Sequence, residues 1–176
     1  MPESIALDAC CVLNLYATGH MAQILQVLQY NAVIGSRALA EAQYLKTADP
    51  VERQPVDLAP LIAAGQLLVG HLEGHEETAL FVALAAHMED GEAEAAALAI
   101  HRGWALATDE RKVRRVLSGV RPDLVIVGTS DLLHEWQARS AVPDAEMSGV
   151  LRRVTERASF VPARSDPLRE WWISRA

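Results

Sequence analysis

Short apolar runs alternate with helix-period segments along the chain, and few folds accept that alternation. SIAL (4–7), AVIG (32–35), QLLV (66–69), WALATD (104–109) and DLVIVG (123–128) have the length and character of buried strands. Between them lie HMAQILQVLQY (20–30), SRALAEAQYL (36–45), EETALFVALAAHM (76–88), DGEAEAAALAIH (90–101) and ERKVRRVL (110–117), all with apolar residues at helical spacing. TSDLLHEWQARSAV (129–142) and DAEMSGVLRRVTERA (144–158) continue the helical pattern. Strands separated by helices predict an α/β fold with a mostly parallel sheet and helices on both faces. The chain reads as one domain, 1–176, with a C-terminal helical extension over about 144–176. Ser36 is the expected cap of its helix and Asp90 that of DGEAEAAALAIH. The polar segment from Lys46 to Val56, with Asp49-Pro50 and Pro55, is expected to be a mobile loop.

Composition narrows the class. Hydrophobic residues make up 51% and charged residues 22% of the 176, which is globular rather than disordered. No apolar run approaches the roughly 20 residues of a membrane span. The start, MPESIALDACC, lacks a basic n-region, so no secretory signal is expected. Cys10 and Cys11 are adjacent and have no other cysteine to pair with. They read as small buried residues in a reducing cytosol, hence a cytoplasmic protein. A net charge of −7 argues against a broad nucleic-acid clamp but suits a site that binds cations.

In an open α/β sheet, functional residues gather at the carboxyl ends of the strands. Asp8 ends SIALD and Asp109 ends WALATD, so both should lie at one sheet edge. Glu41 and Glu94 sit in alanine-rich helices, where a carboxylate is expected to be partly buried and to require a positive partner. Few lysines or arginines are expected to be buried, so a divalent cation is the economical partner, and hard oxygen ligands suit magnesium or manganese. At about 100° per residue, Glu92 and Glu94 point roughly 200° apart and cannot face one site together. Both helix faces are apolar, so periodicity leaves the choice open. HLEGH (71–75) lacks the HExxH order of a zinc protease helix, and Gly74 predicts a turn. His101 reads as a partly exposed residue favoured by a helix C-terminus.

LDACCVLNLY, an isolated Glu41, GEAEAAALA and LATDERKVRRV, in that order, resemble the pattern of PIN-domain proteins. The GEAEA form and VGTSDLLHEWQARSAV are similar to the stand-alone prokaryotic branch that includes VapC-type toxins. The resemblance covers roughly Ile5 to Trp172. It implies a three-layer α/β/α sandwich and a Mg²⁺- or Mn²⁺-dependent ribonuclease. It implies an RNA substrate, an antitoxin partner and a homodimer. By position it assigns the acidic set to Asp8, Glu41, Glu94 and Asp109, with Asp8, Glu94 and Asp109 on the metal and Glu92 as the rival to Glu94. Ala9 and Cys10 stand where the family usually has Ser or Thr, and Thr108 is the remaining hydroxyl beside Asp109. Arg111 is the nearest candidate for substrate phosphate, with Lys112, Arg114, Arg115, Arg152, Arg153 and Arg157 read mainly as solvated helix faces. The competing reading keeps the fold as a catalytically weak protein-binding module, with Trp171 and Trp172 as an interface anchor. Aspartate-initiated phosphotransfer would require a second Asp two residues after Asp8, where Cys10 stands.

Overall fold

A computed structural model describes residues 3–47, 49 and 51–176. The first half contains β1 (Ser4–Leu7), α1 (Ala9–Ala17), α2 (Met21–Leu28), β2 (Asn31–Gly35) and α3 (Ser36–Glu41). A small hairpin follows, β3 (Tyr44–Lys46) and β4 (Arg53–Pro55), then α4 (Ala59–Ala63), β5 (Leu68–Gly70) and α5 (Gly74–Ala85). The second half contains α6 (Asp90–Arg102), β6 (Ala105–Ala107), α7 (Arg111–Val120) and β7 (Ile126–Val127). The helices α8 (Thr129–Ser140), α9 (Asp144–Ala158) and α10 (Arg169–Ile173) complete it.

The central sheet has the order β5-β2-β1-β6-β7, and every pairing in it is parallel. Its helices form two outer layers, which makes a three-layer α/β/α sandwich. One face is covered by side chains of α1, α2, α8 and α9, including Val12, Leu15, Ile24, Leu133 and Leu151. The other is covered by α5, α6 and α7, through Leu84, Ala95, Ala96, Val113 and Leu117. Alanine dominates α6 because that helix is wedged between the sheet and α5. Ala93, Ala95, Ala96, Ala97 and Ala99 are all fully buried, and only a small side chain allows such close approach on every side.

Chain order reverses across β1. The path runs outward from β1 through β2 to β5, then returns to β6 on the opposite side. Such a switch point opens a crevice at the carboxyl ends of the strands. Leu7 pairs in register with both Ile34 and Ala107, so the residues that follow β1 and β6 emerge side by side.

Several boundaries differ from the sequence reading. Gly35, not Ser36, is the cap residue of α3, because the Ser36 hydroxyl is committed to Glu94. Glu89, not Asp90, caps α6. DLVIVG contributes only Ile126 and Val127 to the sheet. The expected loop over Lys46–Val56 contains the β3–β4 hairpin; Ala48 and Pro50 within it lie outside the described residues. The extension is packed: Trp172 is fully buried, with Phe160 edge-on at 5.2 Å, and Trp171 is half-buried with its indole N–H donating to Gln137. Those contacts satisfy both tryptophans internally. Among the described residues, no helix is long and apolar enough to cross a membrane.

The α5–α6 layer is locked by a buried carboxylate. Glu77 accepts from Arg102 at 2.6 Å, and its carboxyl is held below the usual glutamate range by that guanidinium, by the Glu73 N–H and by His101, against the effect of burial. Arg102→Met keeps most of the volume and leaves Glu77 without its guanidinium partner. Denaturant unfolding at pH 7 is expected to show a loss of about 2–4 kcal/mol. A lowered carboxyl stabilises the fold above its unfolded value of about 4.3, and the contribution is lost as pH falls through the folded value. The gap between the two proteins is therefore expected to close on acidification; a constant gap down to the acid transition would contradict it.

Candidate functional site

Asp8 sits at the point where β1 becomes α1. Its backbone N–H donates to the Ala107 carbonyl at 3.1 Å, which extends the sheet by one bond. Its side chain caps α1: Oδ1 accepts from the Cys11 N–H at 2.8 Å and from the Cys10 thiol at 3.0 Å. The other oxygen, Oδ2, is buried and has no hydrogen-bond partner among the described residues. An unpartnered buried acceptor costs about 1–3 kcal/mol, and more when charged. Burial raises the Asp8 carboxyl above the usual aspartate range. Cys10, the Cys11 N–H and the nearby Thr108 hydroxyl oppose that rise, and the Asp109 charge adds to it. No hydrogen bond from Thr108 reaches Oδ2.

Asp109 follows β6 at the same edge. The cap position of α7 belongs to the next residue, Glu110. The Asp109 carboxylate instead turns to the start of α8. Oδ1 accepts from the Thr129 N–H at 2.8 Å, and Oδ2 accepts from the Thr129 hydroxyl at 2.6 Å and the Asn14 amide at 2.9 Å. The Cys11 thiol approaches Oδ2 at 3.4 Å. Gly128 permits this approach, because a Cβ there would lie 2.9 Å from Oδ1. Neither Asn14 nor Thr129 was assigned a role from the sequence. Asn14 carried a signal: it is a polar residue on the buried face of α1, three positions after Cys11. Thr129 directly follows a glycine at a strand end, which is where this fold collects polar groups.

Glu92 and Glu94 have different surroundings. Glu92 reaches back to the Glu89 N–H at 3.0 Å, half of a capping box on α6. Its carboxyl is raised by partial burial and by the charges of Glu110, Glu89 and Asp8. Glu94 is fully buried, and its oxygens are taken. Oε1 accepts from the Ser36 hydroxyl and from Arg37 Nη1, both at 2.9 Å, and Oε2 accepts from the Arg37 N–H at 2.7 Å. The positive partner expected for Glu94 is therefore the Arg37 guanidinium, which also lies 4.3 Å from the centre of the Phe81 ring. Glu94 ties α6 to the start of α3.

Glu41 ends α3 and is exposed, contrary to the burial expected from its alanine neighbours. Its carboxylate rests against the α6 start, where a Cβ on Gly91 would lie 2.5 Å from Oε2. Partial desolvation raises this carboxyl, helped by the charges of Glu89, Asp90 and Asp8. Asp8, Glu41, Glu92 and Asp109 thus converge on one edge, and none forms an ion pair among the described residues. Among the described residues, Asp8, Cys10 and Cys11 form the one group of three ligand residues whose ligand atoms all lie within 4.8 Å of one another. The four acids form no such compact group among the described residues.

Basic residues divide by what they bind. Arg114 donates to the Thr108 carbonyl through Nε and Nη2. Arg153 and Arg157 donate to the Thr18 and Ala17 carbonyls, closing the C-terminal end of α1. Arg111 is exposed, has no ion pair among the described residues, and lines a 160 Å³ cavity with Asp109, Arg114 and Phe160. His71 and His75 are exposed, and His101 lies between the Glu76 and Glu77 carboxylates.

No family model matches the chain, and no curated protein or solved structure matches it.

The two α6 glutamates separate cleanly by stability. Glu94→Ala leaves Arg37 and two donors without their acceptor, and urea unfolding is expected to show a loss of about 2–4 kcal/mol. Glu92→Gln retains an amide oxygen for the capping box and is expected to stay within about 0.5 kcal/mol of the wild type. Equal losses would contradict these placements.

Proposed function

We propose that this chain is a metal-dependent endoribonuclease, with Mg²⁺ or Mn²⁺ held by Asp8 and Asp109 and with Glu92 and Glu41 completing the acidic edge. The observation that carries this reading is the buried Asp8 Oδ2, which has no hydrogen-bond partner among the described residues, beside carboxylates that form no ion pair among those residues. Repulsion of this kind is relieved by a cation, and a set of carboxylate oxygens suits a hard ion. Glu92 takes the place of Glu94 in this assignment, because both oxygens of Glu94 are engaged with α3. The resemblance of the sequence to VapC-type PIN domains supports RNA as the substrate. It also supports an antitoxin partner, a homodimer and a cytoplasmic setting.

When bound there, such an ion would supply Lewis acidity toward a water and a phosphodiester. The chain's own residues prepare for it. Thr129 and Asn14 fix the orientation of the Asp109 carboxylate, and the Oδ1 oxygen retains acceptor capacity beyond its one bond. The Cys11 N–H fixes Asp8, leaving Oδ2 open. Glu41, exposed at the rim, is free to meet a water. Arg111, without an ion pair among the described residues, offers a guanidinium to a substrate phosphate.

RNA cleavage is expected with Mg²⁺ or Mn²⁺ and to be lost with EDTA. Asp8→Asn is expected to lower the rate on the order of 100-fold or more. The same substitution removes a buried charge and its repulsion with Asp109, so the metal-free variant is expected to be about 1 kcal/mol more stable than the wild type. Cleavage by Asp8→Asn at the wild-type rate would overturn the assignment. Arg111→Ala is expected to raise KM and leave kcat nearly unchanged; a fall in kcat alone would remove Arg111 from substrate binding.

A further inference from the structure

We propose that Cys10 is a direct thiolate ligand at the Asp8 site, giving this chain a mixed oxygen–sulfur position that takes a borderline divalent cation such as Zn²⁺ or Co²⁺ in preference to Mg²⁺. This rests on the reading of Asp8 as a cation ligand.

The geometry points there from independent directions. The Cys10 sulfur lies 3.0 Å from Asp8 Oδ1, and ligand atoms of Asp8, Cys10 and Cys11 all fall within 4.8 Å of one another. Two ligands of one tetrahedral zinc ion, at ordinary Zn–S and Zn–O lengths, stand about 3.6 Å apart, so a single ion bridges atoms at this spacing with a small side-chain adjustment. Asp8 is 2% exposed, and its second oxygen has no partner among the described residues, so the cradle holds an acceptor that those residues leave unsatisfied.

The two sulfurs are not equivalent. Cys11 is fully buried, with its sulfur turned to Asp109 at 3.4 Å and to the Thr129 hydroxyl at 3.7 Å. Its place is behind the carboxylates, where it supports them. Cys10 is only half-buried, and its side-chain hydrogen bond goes to Asp8, the residue with the open oxygen. Oxygen-only sites favour magnesium, whereas a sulfur donor shifts preference toward zinc and cobalt. When the ion binds, the Cys10 S–H bond breaks, its proton leaves to solvent, and a sulfur–metal bond forms without any change of oxidation state. Because Asp8 serves both ions, zinc and magnesium exclude one another, and zinc occupancy opposes Mg²⁺-supported chemistry.

Co²⁺ titration of the reduced, metal-free full chain reads this directly. The expected result is a near-ultraviolet thiolate-to-cobalt charge-transfer band in the wild type and in Cys11→Ser. Cys10→Ser and Cys10→Ala are expected to lose the band, with circular dichroism showing both folded. Stoichiometric Zn²⁺ is expected to bleach the band while excess Mg²⁺ does not, and Cys10→Ser is expected to weaken Zn²⁺ binding on the order of 10–100-fold. A band that survives in Cys10→Ser, or cobalt bound with no such band, would overturn the proposal. In the second case, intact Mg²⁺-dependent RNA cleavage would leave the nuclease reading standing. A band that depends on Cys10, in a protein that cleaves no RNA with any metal, would do the reverse.

Discussion

The parallel pairing of β1 with β6 is the constraint on which the rest depends. It brings together two strands separated by about a hundred positions, aligns Leu7 with Ala107, and lets the Asp8 N–H continue the ladder onto the Ala107 carbonyl. Two carboxylates are thereby carried to the same edge at the point where strand order reverses. Neither would choose that neighbour in isolation, since each raises the energy of the other's charge. What holds them is the sheet behind, with Ile5, Leu7, Ala105 and Ala107 essentially excluded from solvent. Burial of that apolar surface is worth about 25 cal/mol per Å², ample to hold a local electrostatic cost in place.

Around this edge the protein separates support from exposure. Glu94, Arg37 and Ser36 form a closed set of donors and acceptors that fixes α6 against α3. At the start of α6, Glu92 and the adjoining Glu41 of α3 have acids for neighbours, with the Glu89 N–H bonded to Glu92. Asn14 and Thr129 give Asp109 the same kind of rigid backing from the opposite layer. The acidic edge is therefore pre-organised by four helices, α1, α3, α6 and α8, rather than assembled by a flexible loop. Such pre-organisation is what an electrostatic site requires.

Much of this was legible in the residues. Strand-length apolar runs between helical segments carried the layered fold, and the acids directly after SIAL and WALAT carried the edge, because in a parallel sheet the residue after a strand has nowhere else to emerge. The alanine run of α6 also signalled a helix buried on all sides. That same uniformity hid the difference between Glu92 and Glu94. Both faces of α6 are apolar, and the deciding partner, Arg37, lies 57 positions away in sequence. Asn14 and Thr129 were hidden for a related reason: their role exists only once α1, β6 and α8 meet. The β3–β4 hairpin was obscured by its prolines and charges, as short, exposed edge strands are.

The most direct test of the central claim is anomalous diffraction from crystals grown with Mn²⁺. The predicted result is an ordered manganese between Asp8 and Asp109, with Glu92 the nearest α6 acid and Glu94 still paired with Arg37. Manganese bound at Glu94, or no ordered ion beside Asp8 at saturating Mn²⁺, would contradict it.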